Sequence, residues 1–141
     1  MIQGVIKIIL GVMLFICAIK DIKSKEISLF VIILSFFVIV VTIILKNEIS
    51  ILSRFGGVLV GLFLIIISKI TRGQIGMGDG LVFCVTGMGL GIWDNMYLLF
   101  YSLFISAIFA GIVLITNRMD RRKVIPFVPF ILVGYLGILL L

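Results

Sequence analysis

The chain has 141 residues, 63% of them hydrophobic and only 13% charged, and its mean hydropathy of +1.45 excludes the balance of a soluble domain. Twelve basic residues against six acidic ones leave a net charge of +6, which in so apolar a chain serves orientation and lipid headgroups, not nucleic acid. There is no histidine, and the two cysteines, Cys17 and Cys84, both fall inside apolar runs, so neither a zinc centre nor a disulfide framework is expected and no cofactor or metal is called for.

The apolar runs predict an all-α, polytopic membrane helical bundle of about six spans, over residues 2–20, 27–45, 55–70, 75–93, 96–115 and 125–141. With short loops and no internal repeat, residues 1–141 read as a single integral-membrane domain. The first run carries Lys7 near its start and closes at Ala18-Ile19-Lys20 without a small-residue cleavage site, so it is expected to be a retained span, not a signal peptide. The apolar part of the fourth run, from Leu81 to Trp93, is short. Residues 75–80 before it are therefore expected to lie at membrane depth as irregular backbone, which is tolerated only when buried in protein or lining a cavity.

Basic residues set the orientation. Lys20, Lys23 and Lys25 fall in the first loop, Lys69 and Arg72 in the third, and Arg118, Arg121, Arg122 and Lys123 in the fifth, while Lys7, Lys46 and Arg54 lie on the other side. By the positive-inside rule the first, third and fifth loops are cytoplasmic and both termini are outside. Asp21 and Asp79 then share the cytoplasmic edge of a cell-membrane protein.

Those two acids are the candidate catalytic residues. Asp79 ends the stretch Gly76-Met77-Gly78-Asp79 at the mouth of an apolar run, where an ionisable group is costly unless it is paired or faces a wet cavity. Gly76, Gly78 and Gly80 are expected to shape the site, permitting positive φ or the close approach of another backbone. The plain reading of Asp79 is an N-cap for the fourth helix. Asp21 follows the first apolar run, where helix carbonyls disfavour an anion, and its plain reading is neutralisation by Lys20, Lys23 and Lys25 in the headgroup region. Brought together, two carboxylates in a low-dielectric site share one proton, so that one acts as general base on a water while the other polarises a carbonyl. Which acid takes which role is open at this point, and so is a different class of function. A non-enzymatic transporter or assembly subunit would use the same acids to bind a cation or relay protons.

Gly76-Met77-Gly78-Asp79, together with Asp21 at the end of the first of six spans, resembles the type IV prepilin peptidases, membrane aspartic proteases of the GxGD class. Lys20-Asp21-Ile22-Lys23-Ser24-Lys25-Glu26-Ile27 is similar to the family's first acidic motif, Gly87-Met88-Gly89-Leu90-Gly91 to the glycine-rich stretch after the second, and Ile125-Pro126-Phe127-Val128-Pro129-Phe130 to its closing Pro-x-x-Pro segment. Ser28-Leu29 and Gly80-Leu81 depart from the Pro-Asn and Val-Lys of many members, so substrate contacts there do not carry over. The paired-cysteine region of the larger, N-methylating members has no counterpart, so the resemblance is to the short form and implies cleavage without methyl transfer. It further implies a prepilin or pseudopilin substrate, cut after a small residue on the cytoplasmic side, with Asp21 and Asp79 as the dyad and no cofactor.

Other features have structural readings. The Gly-x-x-x-Gly spacings of Gly57/Gly61 and Gly87/Gly91 predict close helix packing. Cys17, one turn from Asp21, reads as a small packed hydrophobe. Trp93, Asp94, Asn95 and Tyr97 read as an interfacial belt with a cap for the fifth helix, away from the acids. Arg118 to Lys123, with Asp120, reads as a headgroup-facing loop, where each basic residue is worth roughly 1 kcal/mol of attraction to anionic lipid. Oligomeric state is not legible.

Overall fold

The computed structural model describes residues 2–73, 75–116 and 125–141. Every regular element among them is helical: α1 (Ile2–Ser24), α2 (Leu29–Leu45), α3 (Ile51–Ile70), α4 (Met77–Leu90), α5 (Ile92–Ile115) and α6 (Val128–Leu140). α1, α3 and α5 are long and apolar enough to cross a membrane, while α2, α4 and α6 are shorter apolar helices. Large side chains such as Ile8, Phe30, Ile44, Phe104 and Ile115 point outward, a surface that suits lipid and not water. The cluster from Arg118 to Lys123 lies outside the described residues.

α4 is the middle of the bundle. It packs on α1, α2, α3 and α5, and its interface with α3 is the most extensive in the molecule. Its composition explains the placement, because a helix that is apolar or small all round can be surrounded. A Cβ on Gly57 would meet the Gly87 backbone at 2.8 Å, and one on Gly61 would meet the Cα of Cys84 at 2.7 Å. These glycines let α3 and α4 touch backbone to backbone, as the spacing of Gly57 and Gly61 predicts. Gly91 has a different task. At φ +84° it ends α4 and begins α5, a left-handed turn that glycine adopts without steric cost.

Two polar side chains bind the far end of the bundle from the acids. Arg54, only 3% exposed, donates through Nη1 to the carbonyls of Met88 (2.7 Å) and Gly89 (3.3 Å) and through Nε to Asn47 (3.1 Å). It therefore satisfies orphan carbonyls at the C-terminus of α4, where a cation is favoured. Asn95 is fully buried and corrects its expected place in an interfacial belt. Its Nδ2 donates to Gly57 (3.0 Å) and Phe83 (3.1 Å), and its Oδ1 accepts from the Thr86 hydroxyl at 2.7 Å. One amide thus joins α3, α4 and α5. Trp93 and Tyr97 are exposed, in keeping with the belt. Asn95→Leu is expected to lower stability by about 2 kcal/mol, since three buried partners lose their bonds, and equilibrium unfolding in detergent reads the change.

Two helix boundaries differ from expectation near the acids. α1 continues one turn past residue 20 to Ser24, its end tied by Ser24 Oγ to the Lys20 carbonyl (3.0 Å) and by the Lys25 N–H to the Asp21 carbonyl (3.0 Å). Asp21 therefore sits inside the last turns of a helix and not beyond its end. Residues 77–80, expected as irregular backbone, form the first turn of α4, whose N-cap is Gly76 at φ −64°. Only the segment before Met77 is non-helical, and it is held by the Ser68 hydroxyl, which donates to the Ile75 carbonyl.

Candidate active site

Asp21 and Asp79 reach one cavity of about 1040 Å³ at the end of the bundle formed by the close of α1, the start of α4 and the segment leading into α6. Lys25 and Gly73 line it too, so the first and third basic loops are on the same end. Gln3, Asn47, Arg54 and the Met88 and Gly89 carbonyls meet at the opposite end. The helix order accounts for this, because antiparallel neighbours joined by short turns alternate direction and bring odd-numbered connections to one face.

Asp21 is 7% exposed. Its Oδ2 accepts the backbone N–H of Val128 at 3.1 Å, a bond spanning nearly the whole sequence. Asp79 is half-buried in the first turn of α4, and its own N–H donates to the Gly76 carbonyl at 3.2 Å. It is not an N-cap, since that position is Gly76 and no side chain caps the helix. Asp79 is near enough to Asp21 to feel its charge. Among the described residues, no hydrogen bond reaches the Asp79 side chain, and no group of three His, Cys, Asp or Glu is arranged to hold a metal.

The three glycines divide. Gly76 and Gly78 line the cavity, whereas Gly80 is buried away from it. A Cβ at Gly76 would stand 2.9 Å from Asp79 Oδ2, one at Gly78 would press on the Ile27 side chain, and one at Gly80 would meet Ile65 at 2.5 Å and the Gly61 carbonyl at 3.2 Å. Gly80 therefore serves α3–α4 packing. None of the three uses positive φ; among the described glycines only Gly73 and Gly91 do. Close approach is their reason. Cys17 is fully buried and does not line the cavity, which fits a packed hydrophobe.

Sequence reasoning missed the far wall. Leu64 on α3, Leu99, Leu103 and Ser106 on α5, and Ile125, Pro126 and Phe127 ahead of α6 complete the cavity. Apolar residues in apolar helices carry no mark in the sequence of which face they use. The Pro-x-x-Pro segment was a visible signal, but its contact with Asp21 was not.

The fold and site define an all-α membrane bundle that presents two buried or half-buried carboxylates to a cavity at one end, where ionisable groups mark function by default. The comparisons narrow the class. The type IV leader peptidase family matches residues 8–115, and the chain belongs to it. The prepilin leader peptidase/N-methyltransferase of Bacillus subtilis (strain 168) is 37% identical over 73 residues, which cover 52% of this chain and 29% of that protein. The chain thus aligns with less than a third of that relative's length. No solved structure matches.

Proposed function

We propose that the protein is a membrane-embedded aspartic endopeptidase that removes the leader of type IV prepilins or pseudopilins on the cytoplasmic side, with Asp21 and Asp79 as its dyad. The observation that carries this reading is the meeting of the two acids, one from the end of α1 and one from the start of α4, at a single cavity. One acid, ionised, takes a proton from a water whose oxygen bonds to the scissile carbonyl carbon. The other gives its proton to the carbonyl oxygen, forming a tetrahedral diol. As the C–N bond breaks, the first acid passes its proton to the leaving nitrogen and the second regains one from a diol hydroxyl. Atoms balance with water alone.

The cavity also fits the substrate class. Leu64, Leu81, Leu99 and Leu103 offer an apolar wall to the start of a hydrophobic segment, and Gly76 and Gly78 line the same cavity beside Asp79. Glu26 lies at the rim, where it would meet a basic leader. Membrane lipids flank the bundle, and the basic first and third loops favour the anionic cytoplasmic leaflet. Methyl transfer forms no part of the reading.

The test is a purified preparation in vesicles with a prepilin-like substrate. Cleavage on the amino side of the hydrophobic segment is expected, unchanged by chelation with EDTA, with no methyl group transferred from an added donor. Loss of cleavage on chelation, or substrate-independent ion flux without any cleavage, would overturn the protease reading in favour of a metalloenzyme or a transporter.

A further inference from the structure

We propose that the N-terminus of α6 decides which acid does what: the Pro126-Phe127-Val128-Pro129 segment aims the Val128 backbone N–H at Asp21, holding it as the carboxylate general base and leaving the shared proton on Asp79. This rests on the dyad reading above and assigns the roles that reading leaves open.

The first N–H groups of a helix have no carbonyl partner within it, and together with the helix dipole they favour an anion. α6 has 13 residues and begins at Val128. Proline has no N–H, so Pro126 and Pro129 contribute no donor. The Phe130 and Ile131 N–H groups are already spent on the Phe127 carbonyl, at 3.0 and 3.2 Å. Two donors are left between the prolines, those of Phe127 and Val128. Val128 serves Asp21, its N–H donating to Oδ2 at 3.1 Å. The two prolines thus bracket this donor and fix its direction.

α6 is in turn pinned to α1. The Tyr135 hydroxyl donates to the Lys7 carbonyl at 2.6 Å, and Val128, Ile131 and Tyr135 are buried in the common core. The Phe109 and Phe130 rings, with centroids 5.2 Å apart, hold the same end of α6 on α5. The donor is therefore presented by a fixed helix and not by a loop that swings.

Asp79 has the opposite surroundings. No described residue donates to its side chain, and its neighbour is the Asp21 charge. A carboxyl group with no donor and an anion beside it is cheaper as the neutral acid. The other charged groups facing the cavity, Lys25 and Glu26, are exposed at its rim and opposite in sign, so they do not undo the asymmetry. Val128 is a positioning residue, acting through Asp21.

Two measurements on the full-length protein in detergent test the proposal. Replacing the Val128 amide by an ester, with the corresponding α-hydroxy acid incorporated at that position, deletes the N–H and little else. A fall in kcat of at least tenfold with KM within twofold is expected, while the same exchange at Val133, on the exposed side of α6, leaves both unchanged. A kcat within twofold of wild type for the Val128 ester overturns the inference. Infrared spectra at neutral pH give a readout independent of turnover: the protonated-carboxyl band is expected to vanish in Asp79→Asn and persist in Asp21→Asn. The reverse pattern overturns the assignment. Full cleavage by Asp21→Asn would instead remove the dyad itself, so the two failures are distinguishable.

Discussion

Asp21→Asn and Asp79→Asn are each expected to reduce leader cleavage by more than about a thousandfold while the protein still accumulates in the membrane. The substitution keeps the size and planarity of the side chain and removes only its ability to take or give a proton. At position 21 the amide oxygen can still accept the Val128 N–H that holds the carboxylate now, so the contact between α1 and α6 is preserved. At position 79 no hydrogen bond to a described residue is lost, and helix entry through Gly76 is untouched. In the proposed dyad the two acids work on one proton inventory, so their losses do not add. The double variant is expected to be no slower than either single one, as for catalytic groups that act as a unit. Processed and unprocessed substrate on a gel, with the amount of membrane-inserted enzyme measured alongside, decides the matter. Appreciable cleavage by either single variant, or multiplying losses in the double one, would mean the acids act separately.

How far this site could be read from the sequence depends on the residue. Asp21 and Asp79 announce themselves because charge at the edge of an apolar run is costly, and the count of basic residues per loop places both at one end of the bundle before any coordinates are seen. The structure puts both at the cavity with Lys25 and Gly73. All six helices were legible from hydropathy. Their ends were less so, because hydropathy registers where lipid stops and not where the backbone hydrogen bonds stop. Hence α1 runs on to Ser24 through Lys20, Asp21 and Lys23, charged residues that form good helix outside hydrocarbon. Residues 75–80 were read as irregular because the apolar run from Leu81 to Trp93 is short for a span. In fact each gap left by a missing side chain is filled by a neighbour, Asp79 at Gly76, Ile27 at Gly78, Ile65 at Gly80.

Asn95 and Arg54 show the opposite failure. Asn95 was assigned to an interfacial belt and Arg54 only to the far side of the membrane, yet both are buried and bond to main-chain carbonyls of α3 and α4. A polar side chain near a span end can turn either to headgroups or to the exposed carbonyls of a neighbouring helix end, and local sequence does not distinguish the two. What tips the balance is the closeness of α3 to α4. Glycine contacts bring the Gly57 and Phe83 carbonyls within reach of a single amide, and that arrangement is tertiary.

That closeness supports the second large prediction. Gly57→Leu is expected to destabilise the protein by about 3 kcal/mol or more and to abolish cleavage with it, whereas Gly4→Ala and Gly137→Ala leave both nearly unchanged. Around Gly4 and Gly137 nothing stands within 4 Å of an added Cβ, but at Gly57 the Cβ alone would lie 2.8 Å from the Cα and the carbonyl carbon of Gly87. Backbone cannot rotate away as a side chain can, so α3 and α4 must separate. Separation also breaks the Asn95 bond to the Gly57 carbonyl and moves the base of the helix whose first turn carries Asp79, although the substitution is remote from the cavity. Trp93 is the chain's one tryptophan and lies in the first turn of α5, so its fluorescence on heating in detergent follows the unfolding. A Gly57→Leu protein that melts with the wild type and still cleaves would show that the α3–α4 contact is not what holds the acid in place.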